Sequence, residues 1–225
     1  MSDDPRLRGL YPLADDDPRW RHGARAVVRA ALEGGATVVQ LRLKHTPDGQ
    51  ALELARWAVE RAREAGALLI VNDRFDLADL AGADGVHLGQ DDLEPERVPA
   101  EVRARLHVGL STHTLDQVRG SVARPVDAIA FGPLFGTRSK DSEFDARGLG
   151  ALREAIRISP RPVIAIGGIH AGNLADVARA GARAAAVISA IADAEDPVEE
   201  TRRLQTIFRA AGDARAEPAL RSGKA

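Results

Sequence analysis

The feature that most constrains this chain is an alternation repeated eight times, a short apolar run followed by a longer segment of helical period. The apolar runs cover residues 9–13, 37–43, 67–71, 85–88, 106–110, 128–131, 162–166 and 184–188. The segments between and after them cover 23–33, 48–64, 75–81, 94–103, 114–122, 148–156, 173–180 and 197–210. In the second of these, Leu52, Ala55, Val59 and Ala62 fall on one face at spacings of three and four, as an amphipathic helix requires. Nearly continuous apolar strands separated by helices imply a parallel sheet buried on both faces. Eight such units in 225 residues suit a single α/β domain, a closed (β/α)8 barrel of the TIM type, whose usual size is ~250 residues. A doubly wound open sheet shares the same periodicity, so the pattern by itself leaves closure open. The expected barrel domain is 1–210. The remainder, 211–225, is rich in Gly, Ala and charge and reads as a flexible tail.

Composition removes several classes of function. The formal net charge is −2 with both signs interspersed, so the excess of Lys and Arg that non-specific nucleic-acid binding needs is missing. Without cysteine there is no disulfide, thiolate chemistry or cysteine metal site. The N-terminal stretch "MSDDPRLRGLYPLADDDP" is acidic and broken by proline, unlike a signal peptide. No apolar run approaches ~18 residues, so no membrane span is expected and the chain reads as cytoplasmic. Of 31 basic residues only Lys44, Lys140 and Lys224 are lysine. In an arginine-rich chain, each of these invites a reason.

In such a barrel, chemistry belongs at the C-terminal ends of the strands and in the loops after them. There the chain places "QLRLK", "NDR", "GQDD", "LSTHT", "FGPLFGTRSK", "AIGGIH" and "VISAI", after runs two to eight in order. Any one of these could be an ordinary turn or helix cap. Their joint occurrence on one rim reads as a site. Gln40, Arg42 and Lys44 have period two and so share one face of an extended segment. With Lys140 they offer three cations to a polyanion; an ammonium suits a diphosphate oxygen, and a guanidinium grips two oxygens at once. Gly167 and Gly168 expose backbone N–H groups, and Ser189 adds those of the next turn, in the loops where barrels frequently bind phosphate. Asp73 and the Asp91/Asp92 pair end neighbouring strands among these cations. Unaided, the carboxylates would repel a diphosphate. A bound Mg²⁺, which favours a couple of carboxylates plus phosphate oxygens, reconciles the acids with the cations.

In this order, the motifs "Q-x-R-x-K", "ND", "GVHLGQDD", "GLSTHT", "T-x-S-K", "AIGGI" and "VISAI" resemble the thiamine-phosphate synthase family over nearly the whole chain. That family joins a hydroxymethylpyrimidine diphosphate to a thiazole phosphate and releases diphosphate. The resemblance implies that Gln40, Arg42 and Lys44 hold the pyrimidine diphosphate beside Asn72, and that Ser111 contacts the pyrimidine. It implies that Asp73 and Asp92 ligate one Mg²⁺, with Asp91 turned outward. Thr137 and Ser139 would meet the thiazole phosphate and Lys140 the leaving diphosphate; Gly167 or Gly168, with Ile188 and Ser189, would cradle the thiazole's phosphate. Arg42, Lys44, Ser111 and Lys140 are the residues it makes catalytic. Substrates would be small molecules, with no nucleic acid or membrane as partner, and pairing into a homodimer is expected for a barrel of this size.

The chain departs from the family at Leu43, where an acid is usual, at Ser139 for threonine, at Gly136 for proline, and at Ala14-Asp15 for a hydroxyl–acid pair. None of these removes a charge the reaction needs. A tautomerase branch of the same barrel, using His113 for proton transfer, is the competing enzyme; a non-catalytic phosphometabolite-binding barrel is the competing binding protein. The retained "GQDD" argues against the first, and Asp73, Asp92 and Lys140 together argue against the second. His22, His45, His87, His107 and His170 show no metal-ligand spacing, and His87 reads as a barrel or interface residue.

Overall fold

A computed structural model of the chain describes residues 4–136 and 145–221, with side chains as far as residue 214. Its eight strands are β1 (Gly9–Asp15), β2 (Val38–Arg42), β3 (Leu68–Asn72), β4 (Gly85–Leu88), β5 (His107–Thr112), β6 (Ala128–Phe131), β7 (Val163–Ile166) and β8 (Ala184–Val187). All pair in parallel in chain order, and β8 returns to β1, so the sheet closes. Closure decides the question that periodicity left open: no edge is exposed, and every strand is buried on two faces.

The helices are α1 (Ala24–Glu33), α2 (Asp48–Glu64), α3 (Phe75–Ala81), α4 (Ala100–Arg103), α5 (Leu115–Ser121), α6 (Gly148–Ile158), α7 (Leu174–Ala180), α8 (Ser189–Ala192) and α9 (Pro197–Arg221). One outer core fills the layer between helices and sheet, from Val27, Val39 and Ala55 round to Ile191 and Leu204. A separate inner core fills the barrel itself with Tyr11, Leu13, Val38, Leu68, Ile70, Ile164 and Ile188. Alternation along each strand sorts its residues between these two cores. Strands β6 and β8 give only Ala128, Ala130, Ala184 and Ala186 to the interior, which leaves room for the larger residues of β1 and β3.

Two elements differ from the sequence expectation. The single helix expected over 94–103 is instead a 3₁₀ turn at Pro95–Arg97 followed by the one-turn α4. Pro99 explains the break: proline pushes the residue before it out of the helical region, and Val98 is extended at φ −65°, ψ 126°. The second difference is α8, a turn of helix that directly follows β8 where a loop was expected. Helix α9 runs on to Arg221, and Ala211 packs in the outer core.

Candidate active site

The ends of β1 to β4 carry a network of opposite charges. Asp15 and Arg42 are register partners at the last rung of the β1–β2 ladder. Asp15, only 1% exposed, accepts from an Arg42 terminal nitrogen at 2.8 Å. The Nε of Arg42 is buried and has no acceptor among the described residues, so the guanidinium keeps a donor for an incoming anion. Lys44 lies beyond the end of β2, in a bend over residues 44–46, and its ammonium pairs with Asp73. Asp73 holds a left-handed conformation, φ 63°, with its N–H donating to the His87 carbonyl at 2.7 Å. That conformation is uncommon outside glycine, although Asp tolerates it better than most residues.

Asp92 folds back so that its Oδ2 accepts from the Gly89 amide at 2.6 Å. A Cβ at Gly89 would stand 2.7 Å from that oxygen, so glycine is what allows the fold-back. Burial pushes the Asp92 carboxyl above its ordinary value, and the neighbouring Asp73 carboxyl adds to the rise. The Gly89 amide and the Lys44 charge work against it. Asp91 is exposed, as the resemblance implies. Two adjacent oxygen donors, one of them disfavoured as a bare anion, fit a hard divalent cation that fills its other positions with phosphate oxygens and water. Among the described residues no cluster of three or more potential metal-ligating side chains exists.

Gln40, Arg42 and Lys44 were expected to share one face by their period-two spacing, with Lys140 as a third cation from another loop. Arg42 and Lys44 each face a carboxylate, and Lys44 lies in the bend beyond β2, where strand alternation no longer applies. Lys140, Thr137 and Ser139 lie outside the described residues.

Below the rim, Gln40 is buried and donates from Nε2 to the Tyr11 hydroxyl at 3.1 Å. Asn72 ends β3 beside His87 in register. His87 points inward, and its Nε2 is 2.9 Å from the Ser111 hydroxyl. A Cβ at Gly109 would sit 2.5 Å from His87 Nδ1, so this glycine opens the space that the imidazole fills. Gln90 donates to the Ser111 carbonyl, which ties the "GQDD" loop to the end of β5. The sequence reading gave His87 as a barrel or interface residue, without this contact. Its alternation along the strand was the available signal; the register pairing with Gly109 is seen only in the structure. His113 is held on two sides, its amide donating to Gln117 at 2.6 Å and its Nδ1 lying 2.7 Å from the Gly132 carbonyl.

The ends of β6 to β8 are made differently. Gly167 and Gly168 have φ 100° and 64°. The loop after β6 packs directly on them, with Leu134 and Phe135 amides donating to the Ile166 and Gly167 carbonyls at 2.9 and 3.1 Å. A Cβ at Gly167 would come within 2.5 Å of Pro133 Cα, and one at Gly168 within 2.8 Å of Phe135 Cβ. The glycines, expected to bare their amides to a ligand, also admit the neighbouring loop. Ile188 precedes α8, and its carbonyl takes the amides of Ile191 and Ala192. The amides of Ser189 and Ala190 open the helix ahead of any helical acceptor.

Comparison with known proteins decides the family. The family model described as "Thiamine monophosphate synthase" matches residues 10–191. The chain belongs to the thiamine monophosphate synthase family. Thiamine-phosphate synthase of Anaeromyxobacter dehalogenans is 46% identical over 211 residues, which is 93% of this chain and 92% of that relative. The Myxococcus xanthus thiamine-phosphate synthase is 40% identical over 89% of this chain and 92% of its own length. Among solved structures, the thiamine phosphate pyrophosphorylase of Pyrococcus furiosus superposes with a TM-score of 0.84 at 34% identity, covering 92% of this chain and 99% of that one. An N-(5'-phosphoribosyl)anthranilate isomerase, also from Pyrococcus furiosus, reaches 0.64 at 13% identity over 90% of this chain and 99% of that one, which reflects the barrel alone. The match spans all eight strands, so this family membership covers both the charged rim and the glycine rim. No helix among the described residues is long and apolar enough to cross a membrane.

Proposed function

We propose that this chain is a thiamine-phosphate synthase, a transferase that couples 4-amino-5-hydroxymethyl-2-methylpyrimidine diphosphate to a thiazole phosphate. The observation that carries the reading is the charge network at the ends of β1 to β4, in a chain of this family. Arg42 and Lys44 grip the diphosphate, Gln40 and Asn72 line the pocket floor, and Ser111, oriented by His87, meets the pyrimidine. Asp73 and Asp92 hold one Mg²⁺, which when bound neutralises charge on the diphosphate. Lys44 becomes available to the substrate once the Asp73 carboxylate has another cation to face. Gly167, Gly168, Ile188 and Ser189 seat the thiazole's phosphate, with Thr137, Ser139 and Lys140 completing the two anion sites from the loop after β6.

The chemistry suits these groups. The C–O bond to the diphosphate breaks, its electron pair leaves with the diphosphate, and the amino-pyrimidine ring spreads the positive charge left on the methylene carbon. The thiazole nitrogen then gives its lone pair to that carbon, forming the C–N bond. No protein nucleophile is needed. Fixed cations stabilise charge that grows on the leaving group, and the two anion sites hold the reacting atoms in line.

The test mixes purified protein with both substrates, in Mg²⁺ or in EDTA, and oxidises any thiamine phosphate to its fluorescent product. Mg²⁺-dependent product is expected, falling by about a hundredfold or more in Asp92→Asn. Folded protein that makes no product from verified substrates would sink the proposal.

A further inference from the structure

The backbone of the loop that carries Lys44 is tied to another strand end by one side chain, that of Asp16, immediately after β1. One carboxylate oxygen accepts from the Lys44 amide at 2.8 Å. The other accepts from the His45 amide at 2.9 Å, and from the Thr46 amide and hydroxyl, each at 2.7 Å. Three successive N–H groups thus converge on one anion, the arrangement of a backbone nest. Lys44 itself is substantially exposed, with 43% of its side chain accessible. Its head group is held by Asp73 alone among the described contacts, and the backbone under it supplies the rest of the order.

We propose that Asp16 is the positioning residue for Lys44, setting where the ammonium stands for the diphosphate of the substrate. The nest is an anion site already filled by the chain's own carboxylate. Diphosphate must therefore be met by the Lys44 side chain and not by these amides. The adjacent acid does the parallel task for the other cation, since Asp15 fixes the guanidinium of Arg42. Consecutive aspartates at the end of β1 thus hold two cations at and just beyond the end of β2, one by its head group and one by its backbone. Two carboxylates side by side tolerate each other because they point into different partners, a guanidinium and a nest of amides. Removing Asp16 leaves the Lys44 charge in the protein but releases the chain that aims it.

This inference rests on the proposed function for its substrate, so the experiment separates the two. Asp16→Ala and Asp16→Asn are made in the wild type and in a Lys44→Ala background, with steady-state kinetics for both substrates. Binding of inorganic diphosphate in Mg²⁺ is followed by calorimetry. Asp16→Ala is expected to raise KM for the pyrimidine diphosphate about tenfold and to weaken diphosphate binding by a similar factor. Asp16→Asn, which keeps one acceptor oxygen, should fall between, and KM for the thiazole phosphate should stay within about twofold. In the Lys44→Ala background the same changes should cost less than about twofold, because the group being aimed has gone. An equal factor in both backgrounds, or an equal rise in both KM values, would overturn the proposal as a merely structural effect. If Asp16→Ala fails to fold, Asp16→Asn carries the same cycle. Absence of thiamine phosphate with diphosphate binding intact would sink only the function, and the calorimetric cycle would still decide Asp16. Wild-type protein that binds no diphosphate would overturn both.

Discussion

The two sides of the barrel rim are made from different materials. From β1 to β4 the strand ends carry paired charges, Asp15 with Arg42 and Lys44 with Asp73, and Asp92 stands beside that second pair. From β6 to β8 they carry glycines and helix-start amides, with backbone packed on backbone. Geometry on the first side depends on particular side chains finding each other across strands. On the second it depends on the absence of Cβ atoms. One side presents full charges that already have internal partners, and the other presents backbone amides. Under the proposed function, the charged side meets the group whose charge grows during reaction, and the amide side meets the phosphate that is only carried along.

The largest expected effect comes from breaking the charged side at its most buried pair. Asp15→Ala leaves the Arg42 guanidinium, 15% exposed, without its carboxylate. Breaking such a pair typically costs about 3–5 kcal/mol, and urea denaturation is the measurement. A loss below about 1 kcal/mol would mean that Arg42 finds another partner and that the pair does not organise the rim.

The counterpart on the other side is Gly168→Ala. A side chain there must adopt φ 64° and crowd Phe135, so a cost of about 1–3 kcal/mol is expected. The kinetic signature should be the mirror image of the Asp16 variants. KM for the thiazole phosphate rises, and KM for the pyrimidine diphosphate stays within about twofold. If both constants rise together, the two sides are mechanically one unit and not two separate anion sites.

How much of this could be read in the sequence follows the same division. The eight strands were legible because each is an apolar run a few residues long, and β4 and β6 have the bounds that the pattern indicates. The rim was legible as a set of polar strand ends. What stayed hidden was pairing. Asp15 and Arg42 are 27 residues apart, and only the β1–β2 register makes them neighbours. Asp16 reads as one acid in a run of three, "DDD", and nothing local says that it closes a nest 28 to 30 residues away. Lys44 was placed by extending the period-two pattern past the end of β2, where the chain bends and the pattern no longer applies. Gly167 and Gly168 were read for what they expose. What they accommodate is the loop after β6, a contact set by the packing of β7 against β6.

Acid separates the two sides more gently than any substitution. Burial works to raise the Asp16 carboxyl, but the three amides and the Thr46 hydroxyl outweigh it and leave the group below its ordinary value. A lowered folded-state value means that this carboxylate's contribution is present above the ordinary value of 3.8 and is lost as the pH falls through the lowered one. The loop after β6 is held on Gly167 by backbone hydrogen bonds, which do not titrate in this range. Amide exchange, corrected for the intrinsic effect of pH, should therefore lose roughly twofold protection at residues 44–46 between about pH 5 and about pH 3. Leu134 and Phe135 should keep theirs over the same interval. Parallel loss at both places would show that acid loosens the whole barrel, and that the aspartate nest is no weaker than the backbone contacts opposite. Loss confined to 44–46 would locate the acid-sensitive part of the rim at the one carboxylate that aims Lys44.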